Sequence, residues 1–397
     1  MQASSFCRLA LAVWLGLAAP AQAASLAEAF DRAWAARQAV SEARQQLRDS
    51  QREASDAWLP GPPALTLSQR SDRLDRNAGL REWEVELSAP LWLWGQRELA
   101  RRLAEREQDA EQHARALARW QLAGALREAW WEARLAELDA AAAQQRLHTQ
   151  RALEADAMRR VNAGQEAPLA HNQAAGARAQ AETDWLRAQA QARRALNQFT
   201  AAARGAALPQ QAEPAHPSAL PDAHPLLASL DARVAAAQAR LAQANGDSRD
   251  APELALTLTR ERGARSEPYQ NLAKLSLKIP FGGQARNGPR MAQANVELSE
   301  ALAELHAGRE QLAQDIDSAR LARELGQQQA RAQAEALQLA EQRLGWIQRA
   351  VRAGQLSAPE QWRAQSELHE ARSQAQRAQL EAGRAHSRYL QAIGALP

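Results

Sequence analysis

Between Gly95 and Ala163 the chain contains no proline and one interior glycine, Gly124. Most of the residues between are Ala, Leu, Arg, Glu and Gln, which favour helix strongly. The pattern predicts one uninterrupted helix over 95–163. At ~1.5 Å per residue such a helix is roughly 104 Å long. That is too long for a globular domain and requires a coiled-coil-like rod. A second run of this kind covers 289–353. Gly308, Gly326 and Gly345 weaken it, but no proline interrupts it after Pro289.

The chain is written twice. Val161-Asn-Ala-Gly164-Gln165 returns in the second half as Val351-Arg-Ala-Gly354-Gln355. Arg187-Ala-Gln returns as Arg377-Ala-Gln, and Pro90 as Pro280, at the same offset. Pro168 and Pro359 agree to within one residue. We read two tandem repeats, 24–201 and 224–397, joined by a linker at 202–223 that contains four prolines. In each repeat a tip (164–167, 354–358) follows the long helix. Gly164 and Gly354 stand where left-handed C-caps are expected. Return helices at 168–201 and 359–394 cover half the length of their partners. Helices over 25–57 and 224–245 supply the other half.

The only β-like stretches lie between the helices. Leu65 and Leu67 alternate with Thr66 and Ser68; Trp83, Val85 and Leu87 with Glu84, Glu86 and Ser88. Leu254, Leu256 and Leu258 alternate with Ala255, Thr257 and Thr259; Ala273, Leu275, Leu277 and Ile279 with Lys274, Ser276 and Lys278. This period of two predicts hairpins at about 64–90 and 253–280, each with one apolar and one polar face. Trp58, Trp92, Trp94, Tyr269 and Phe281 cluster near the strand ends. The fold class expected is mainly α with a small β part. Aromatics make up only 5% of the chain, and most of them are Trp, so thin helical layers suit it better than a thick core.

Residues 1–23 read as a secretory signal peptide: Arg8, an apolar run from Leu9 to Ala19, then the small-x-small site Ala21-Gln22-Ala23. The one cysteine, Cys7, falls inside it. The mature chain then has no thiol chemistry. The net charge of +3 comes from arginines spread along the helices, which argues against a nucleic-acid partner. No nucleophile elbow, phosphate-cradling glycine loop or His-Glu-x-x-His is present, so no enzyme is expected. The eight histidines never pair at close helical spacing, so neither a metal site nor a cofactor is expected. Trp130-Trp131 reads as packing rather than a cofactor stack.

Apolar-out, polar-in alternation with aromatics at the ends fits the wall of a transmembrane β-barrel. Four strands cannot close one, and an open edge in lipid leaves backbone groups unpaired. Several copies must contribute strands. The object that results is an oligomeric tube, with a β-barrel in an outer membrane and a helical barrel in the periplasm.

Ser88-Ala-Pro90-Leu-Trp-Leu-Trp-Gly95-Gln-Arg97 between strand and long helix, its counterpart Lys278-Ile-Pro280-Phe-Gly282-Gly283-Gln-Ala-Arg286, and the paired Val-x-Ala-Gly turns resemble the outer membrane efflux protein (TolC) family. Trp58-Leu-Pro60-Gly-Pro-Pro63 is most similar to its heavy-metal (CzcC/CusC-type) branch. The resemblance spans nearly the whole mature chain. It implies a homotrimer with a 12-stranded barrel, a periplasmic adaptor protein and an inner-membrane efflux pump as partners, and no cofactor. It also implies that adaptors dock at the periplasmic tips, around Val161, Gly164, Gln165, Val351, Gly354, Gln355 and Ser357. An acidic gate position of the family falls on Glu360. The first repeat has Ala170 there, and Leu169 and Arg363 occupy other polar places. Ser357 and Glu360 also fit a capping box, with Ser at the cap and Glu three residues on, so both roles stay open for Glu360. A periplasmic coiled-coil adaptor would need a lipoyl-like β domain flanking a single hairpin. A structural coiled coil would have no use for strands between prolines. Metal ions, drugs and polypeptides all remain open as cargo.

Overall fold

The computed structural model describes residues 25–72, 78–213, 223–247, 249–281, 284–356 and 358–397. The expected leader lies outside them. In chain order the elements are α1 (Leu26–Ala35), α2 (Gln38–Asp56), β1 (Ala64–Ser71), β2 (Arg81–Pro90), α3 (Gln96–Asn162) and α4 (Pro168–Ala202). They continue with α5 (Pro225–Gly246), β3 (Glu253–Arg262), β4 (Gln270–Lys278), α6 (Gln284–Arg352) and α7 (Ala358–Ala392).

The two rods dominate. α3 has 67 residues and α6 has 69. Each packs one shorter helix against the half nearer its C-terminal tip, α4 on α3 and α7 on α6. Towards the sheet, α2 lies on α3, and α5 lies between α3 and α6. Among the described residues no helix is long and apolar enough to cross a membrane.

Two expectations need correction. The single helix expected over 25–57 is two helices, separated at Ala36–Arg37. Leu26, Ala29, Phe30, Ala33 and Trp34 put an apolar stripe of α1 into the core. The sequence of α2 does not continue that stripe, and Arg48 and Arg52 instead bond to Glu107 and Gln108 across on α3. The second rod also begins before Pro289, at Gln284, and holds Pro289 inside its early turns. Pro289 is the sixth residue of α6, just past the four N–H groups that have no acceptor within the helix, so it costs the rod one intrahelical bond within its first two turns.

The four strands form one antiparallel sheet in the order β1-β2-β3-β4. Pairing of β2 with β3 joins the two hairpins. The main hydrophobic core sits midway along α3. Leu122, Ala123, Leu126, Trp130 and Trp131 there meet α1, Ala195 and Phe199 of α4, and Ala203 and Ala206 of the linker. The two tryptophan rings lie edge to face, 4.5 Å apart. Gly383 lets α7 approach this core, since a Cβ there would stand 2.4 Å from the Trp131 ring.

Candidate functional site: sheet, seam and tips

Register puts every large apolar side chain of β1, β2 and β3 on one face of the sheet. Leu65 and Leu67 stand opposite Leu87 and Val85, which stand opposite Leu256 and Leu258. Leu256 in turn faces Leu275, and Leu254 faces Leu277. All of these are exposed, Leu67 to 71% and Leu275 to 72%. On the other face Ser88 and Thr257 are buried, Ser68 donates to Glu84 at 3.2 Å, and Thr257 donates to Glu86 at 3.2 Å. β1 and β4 each keep one free edge among the described residues. At the helical end Trp94 and Phe281 are exposed, and the Trp92 indole N–H bonds Ala57 O at 3.1 Å.

Near the sheet, ion pairs bind four helices together. Arg48 of α2 reaches Glu107 of α3 at 2.6 Å. Glu107 also pairs with Arg240 of α5, and Arg240 reaches Glu297 of α6 at 2.8 Å. Hydrogen bonding to Arg240 holds the Glu297 carboxyl below its ordinary range, and the bond to Glu297 raises the Arg240 pKa.

A second set joins α3 to α7. Glu128 accepts from Arg388 at 2.7 Å and from Arg384 at 2.5 Å. Asp139 pairs with Arg377 at 2.6 Å and Arg146 with Glu370 at 2.8 Å. Burial works to raise the pKa of Glu128, but the bonds from Arg388 and Arg384 outweigh it and hold the pKa below its ordinary value. Glu370 is also lowered: burial opposes, and the bonds from Arg146 and Gln374 prevail. Asp139–Arg377 and Arg146–Glu370 are largely exposed and fix alignment more than stability, whereas the Glu128 cluster is half-buried. None was legible in the sequence, because their partners lie in opposite halves of the chain.

The tips close in the same way. Gly164 has φ +69° and Gly354 φ +72°. Gln165 N–H donates to Arg160 O at 2.9 Å, and Gly164 N–H to Val161 O at 3.0 Å. Gln355 and Gly354 donate to Ala350 and Val351 at the same two distances. This is the Schellman pattern, which needs a left-handed residue after the last helical turn. Gly164, Gln165, Gly354 and Gln355 are exposed, and Val161 and Val351 are half-buried. Glu360 is half-buried in the first turn of α7. Ser357 lies outside the described residues, and with it the capping box expected there. Leu169 and Arg363 are exposed. Among the described residues no three His, Cys, Asp or Glu side chains stand close enough to hold a metal ion.

Rods, sheet and tips together define the fold of the TolC-type outer membrane channels. Three solved structures carry the comparison. The outer membrane protein VceC of Vibrio cholerae matches with a TM-score of 0.69 and 16% identity, over 93% of this chain and 96% of that one. The outer membrane channel CmeC of Campylobacter jejuni gives 0.72 and 13%, over 93% and 85%. CusC, described as forming a transmembrane channel, gives 0.70 and 17%, over 94% and 92%. CmeC and CusC are described as channels, and none of the three is described as an enzyme. No family model and no curated protein matches the chain.

Proposed function

We propose that this chain is the outer-membrane component of a tripartite efflux system. Three copies close a 12-stranded barrel in the outer membrane and continue it as a helical duct through the periplasm. The observation that carries this reading is the sheet face from Leu65 to Leu277, which is apolar and exposed along all four strands. In water such a patch is an aggregation hazard; in a barrel wall it meets lipid. The free edges of β1 and β4 then pair between neighbouring copies.

The tandem repeat belongs to the same proposal. The shift that superimposes the two tip motifs also carries the bounds of α4 onto those of α7, and the ends of α2 and α3 onto the ends of α5 and α6. The matching caps at Gly164 and Gly354 support it too.

The mechanism is passive: the chain supplies a water-filled passage, and a partner pump supplies the free energy. The adaptor docks at the exposed tips, around Val161, Gly164, Gln165, Val351, Gly354, Gln355 and Ser357. Opening moves the α6–α7 hairpin relative to α3. The pairs Arg146–Glu370 and Asp139–Arg377 lie across the seam that must slide. Glu360, at the start of α7, serves as the gate position. The cargo is small solutes, with heavy-metal cations among them on the resemblance of Trp58–Pro63. Cell fractionation tests the reading. The mature protein should reach the outer membrane, start after the leader expected at 1–23, and require detergent for release as a trimer. Recovery as a soluble monomer after osmotic shock would overturn it. A deletion strain tested for tolerance to metals and drugs would then identify the cargo.

A further inference from the structure

The two tips share a cap but not a surface. The shift that carries Gly164 onto Gly354 also carries Arg159 onto Arg349, Asp156 onto Trp346 and Glu166 onto Leu356. Both caps close with the same pair of backbone hydrogen bonds, so these positions correspond in space as well as in sequence. In the first tip the two acids are engaged. Asp156 pairs with Arg159 at 2.9 Å and with Arg160 at 2.8 Å, and Glu166 pairs with Arg160 at 3.3 Å. In the second tip apolar side chains replace both acids, while the arginine stays.

The charge balance changes accordingly. Residues 152–176 carry three acids against two arginines, whereas 342–366 carry one acid against four arginines. Of those four, Arg343 pairs with Glu367 at 2.8 Å. Arg349, Arg352 and Arg363 are exposed, and among the described residues no carboxylate pairs with them. The one acid of the stretch, Glu360, is half-buried and itself engaged. Arg349 and Arg352 stand in the last two turns of α6 and Arg363 in the second turn of α7. All three therefore lie within roughly 8 Å of the turn along the helix axes. Beside them Trp346 is 60% exposed and Trp362 43%. Trp362 and Arg363 line a groove of about 530 Å³ together with Leu153 and Ala157 of α3. Asp156, Glu166 and Glu367 line it too, each already held by an arginine.

Tryptophan and arginine are the residues that most often dominate binding energy at an interface. Unpaired arginines steer a partner of opposite charge onto the surface they share. A neighbouring copy of this chain has no free carboxylate to offer from its first tip, where Asp156 and Glu166 are taken. We infer that the second tip, around Trp346, Arg349, Arg352, Leu356, Trp362 and Arg363, is the anchoring site for the periplasmic partner protein, and that the segment docking there presents carboxylates beside an apolar side chain. The inference rests on the tripartite reading above and gives that partner's contact surface a chemistry. The first tip, with its charges paired internally, adds contact but little energy.

The test uses the full chain as trimers in nanodiscs and two dye-labelled helical-hairpin peptides, one with Glu-Leu-Glu at its turn and the other with Lys-Leu-Lys. Binding is read by fluorescence anisotropy. The acidic peptide should bind, less tightly as salt rises, and the basic one should not. Trp346→Asp with Leu356→Glu, which gives the second tip the acids of the first, should weaken binding about thirtyfold, the loss expected when a hot-spot residue is removed. Arg349→Gln, Arg352→Gln and Arg363→Gln combined should weaken it as much, and Arg349→Lys, Arg352→Lys and Arg363→Lys combined should keep most of it. Met158→Gln with Arg159→Gln, at the first tip, should leave it unchanged. Equal binding of both peptides, or equal losses from changes at the two tips, would overturn the inference. So would dissociation of the Trp346→Asp, Leu356→Glu trimer in native mass spectrometry, which would assign these side chains to contact between copies. Trimers that insert yet bind neither peptide would sink this inference and leave the channel reading standing. A chain that forms no trimer in the nanodisc would sink both.

Discussion

Arg127 and Glu213 form a two-pronged ion pair in the middle of the molecule, with Nε to Oε1 at 2.9 Å and an Nη to Oε2 at 2.7 Å. Both side chains are almost fully buried, 2% and 6% exposed. The other Nη of Arg127 donates to Gln391 Oε1 at 2.5 Å and to Ala395 O at 2.9 Å. Ser387 also bonds Glu213. One guanidinium thus ties the linker and the end of the second repeat to the first rod. Removing one member leaves a buried charge without its counterion and costs ~3–5 kcal/mol. Glu213→Ala should lower the thermal midpoint of the detergent-solubilised protein sharply. Arg127→Met combined with Glu213→Leu should fall less far than either single change. A midpoint unchanged in Glu213→Ala would show that the pair does not hold the linker.

Gly383 faces the Trp131 ring. An added Cβ at 2.4 Å from that ring cannot be accommodated by a flexible side-chain end, because Trp131 is buried against Trp130. Gly383→Ala should destabilise by ~1–3 kcal/mol, the usual range for overpacking. The helix propensity of alanine favours the opposite sign, so a stabilised variant would mean that α7 approaches α3 less closely than described.

The tips tolerate space but not torsion. Nothing stands within 4 Å of a Cβ at Gly164 or Gly354, yet both have positive φ. Gly164→Val should therefore act through the backbone alone, at ~1–2 kcal/mol. Gly354→Pro is more severe, since the proline ring locks φ at negative values and removes the N–H that bonds Val351 O. Both changes lie far from the sheet and should leave trimers intact while reducing efflux, measured as dye or metal retention in cells. Unaltered efflux in both would move the docking surface away from the tips.

The rods and strands were legible because both are written in short-range periodicity: a long proline-free run of helix formers and a strict alternation. The glycines of the tips were legible as caps for the same reason. The break in α1–α2 was not. It arises because Phe30 and Trp34 find a core on α3, beneath Arg119 at 5.6 and 5.7 Å from their rings. That core is partly built from α4 and the linker, far away in sequence. The Arg127–Glu213 pair was hidden likewise, since a single arginine mid-helix looks like any solvated one until the linker covers it. The pairs between α3 and α7 depend on how two rods align, which periodicity leaves undetermined.

The Glu128 cluster makes stability depend on pH. Its folded-state pKa lies below the ordinary value, so folding favours the charged form. The resulting stabilisation is complete above the unfolded pKa and is lost as pH falls through the folded one. Glu128→Gln should unfold at lower temperature than the parent chain at neutral pH. The gap should close in acid, below the ordinary carboxylate range, where Glu128 itself is protonated. A gap that stays constant across that range would assign the effect to packing and not to charge.

Leu67 and Ser68 are neighbours in β1 and face opposite sides of the sheet. In the membrane reading Leu67 meets lipid and Ser68 lines the passage beside Glu84. An arginine on the lipid face of a barrel near its midplane costs ~2–4 kcal/mol, whereas lumen substitutions are tolerated. Leu67→Arg should therefore deplete trimers from the outer-membrane fraction. Ser68→Arg, with carboxylates at hand, should assemble and alter only ion selectivity in bilayer conductance. A soluble sheet predicts otherwise: Leu67 is already exposed to water there, so Leu67→Arg would be neutral or would improve solubility. The two substitutions sit one residue apart and share the same backbone and the same added charge. Their difference isolates the environment of each face, and equal behaviour would remove the sheet from the bilayer.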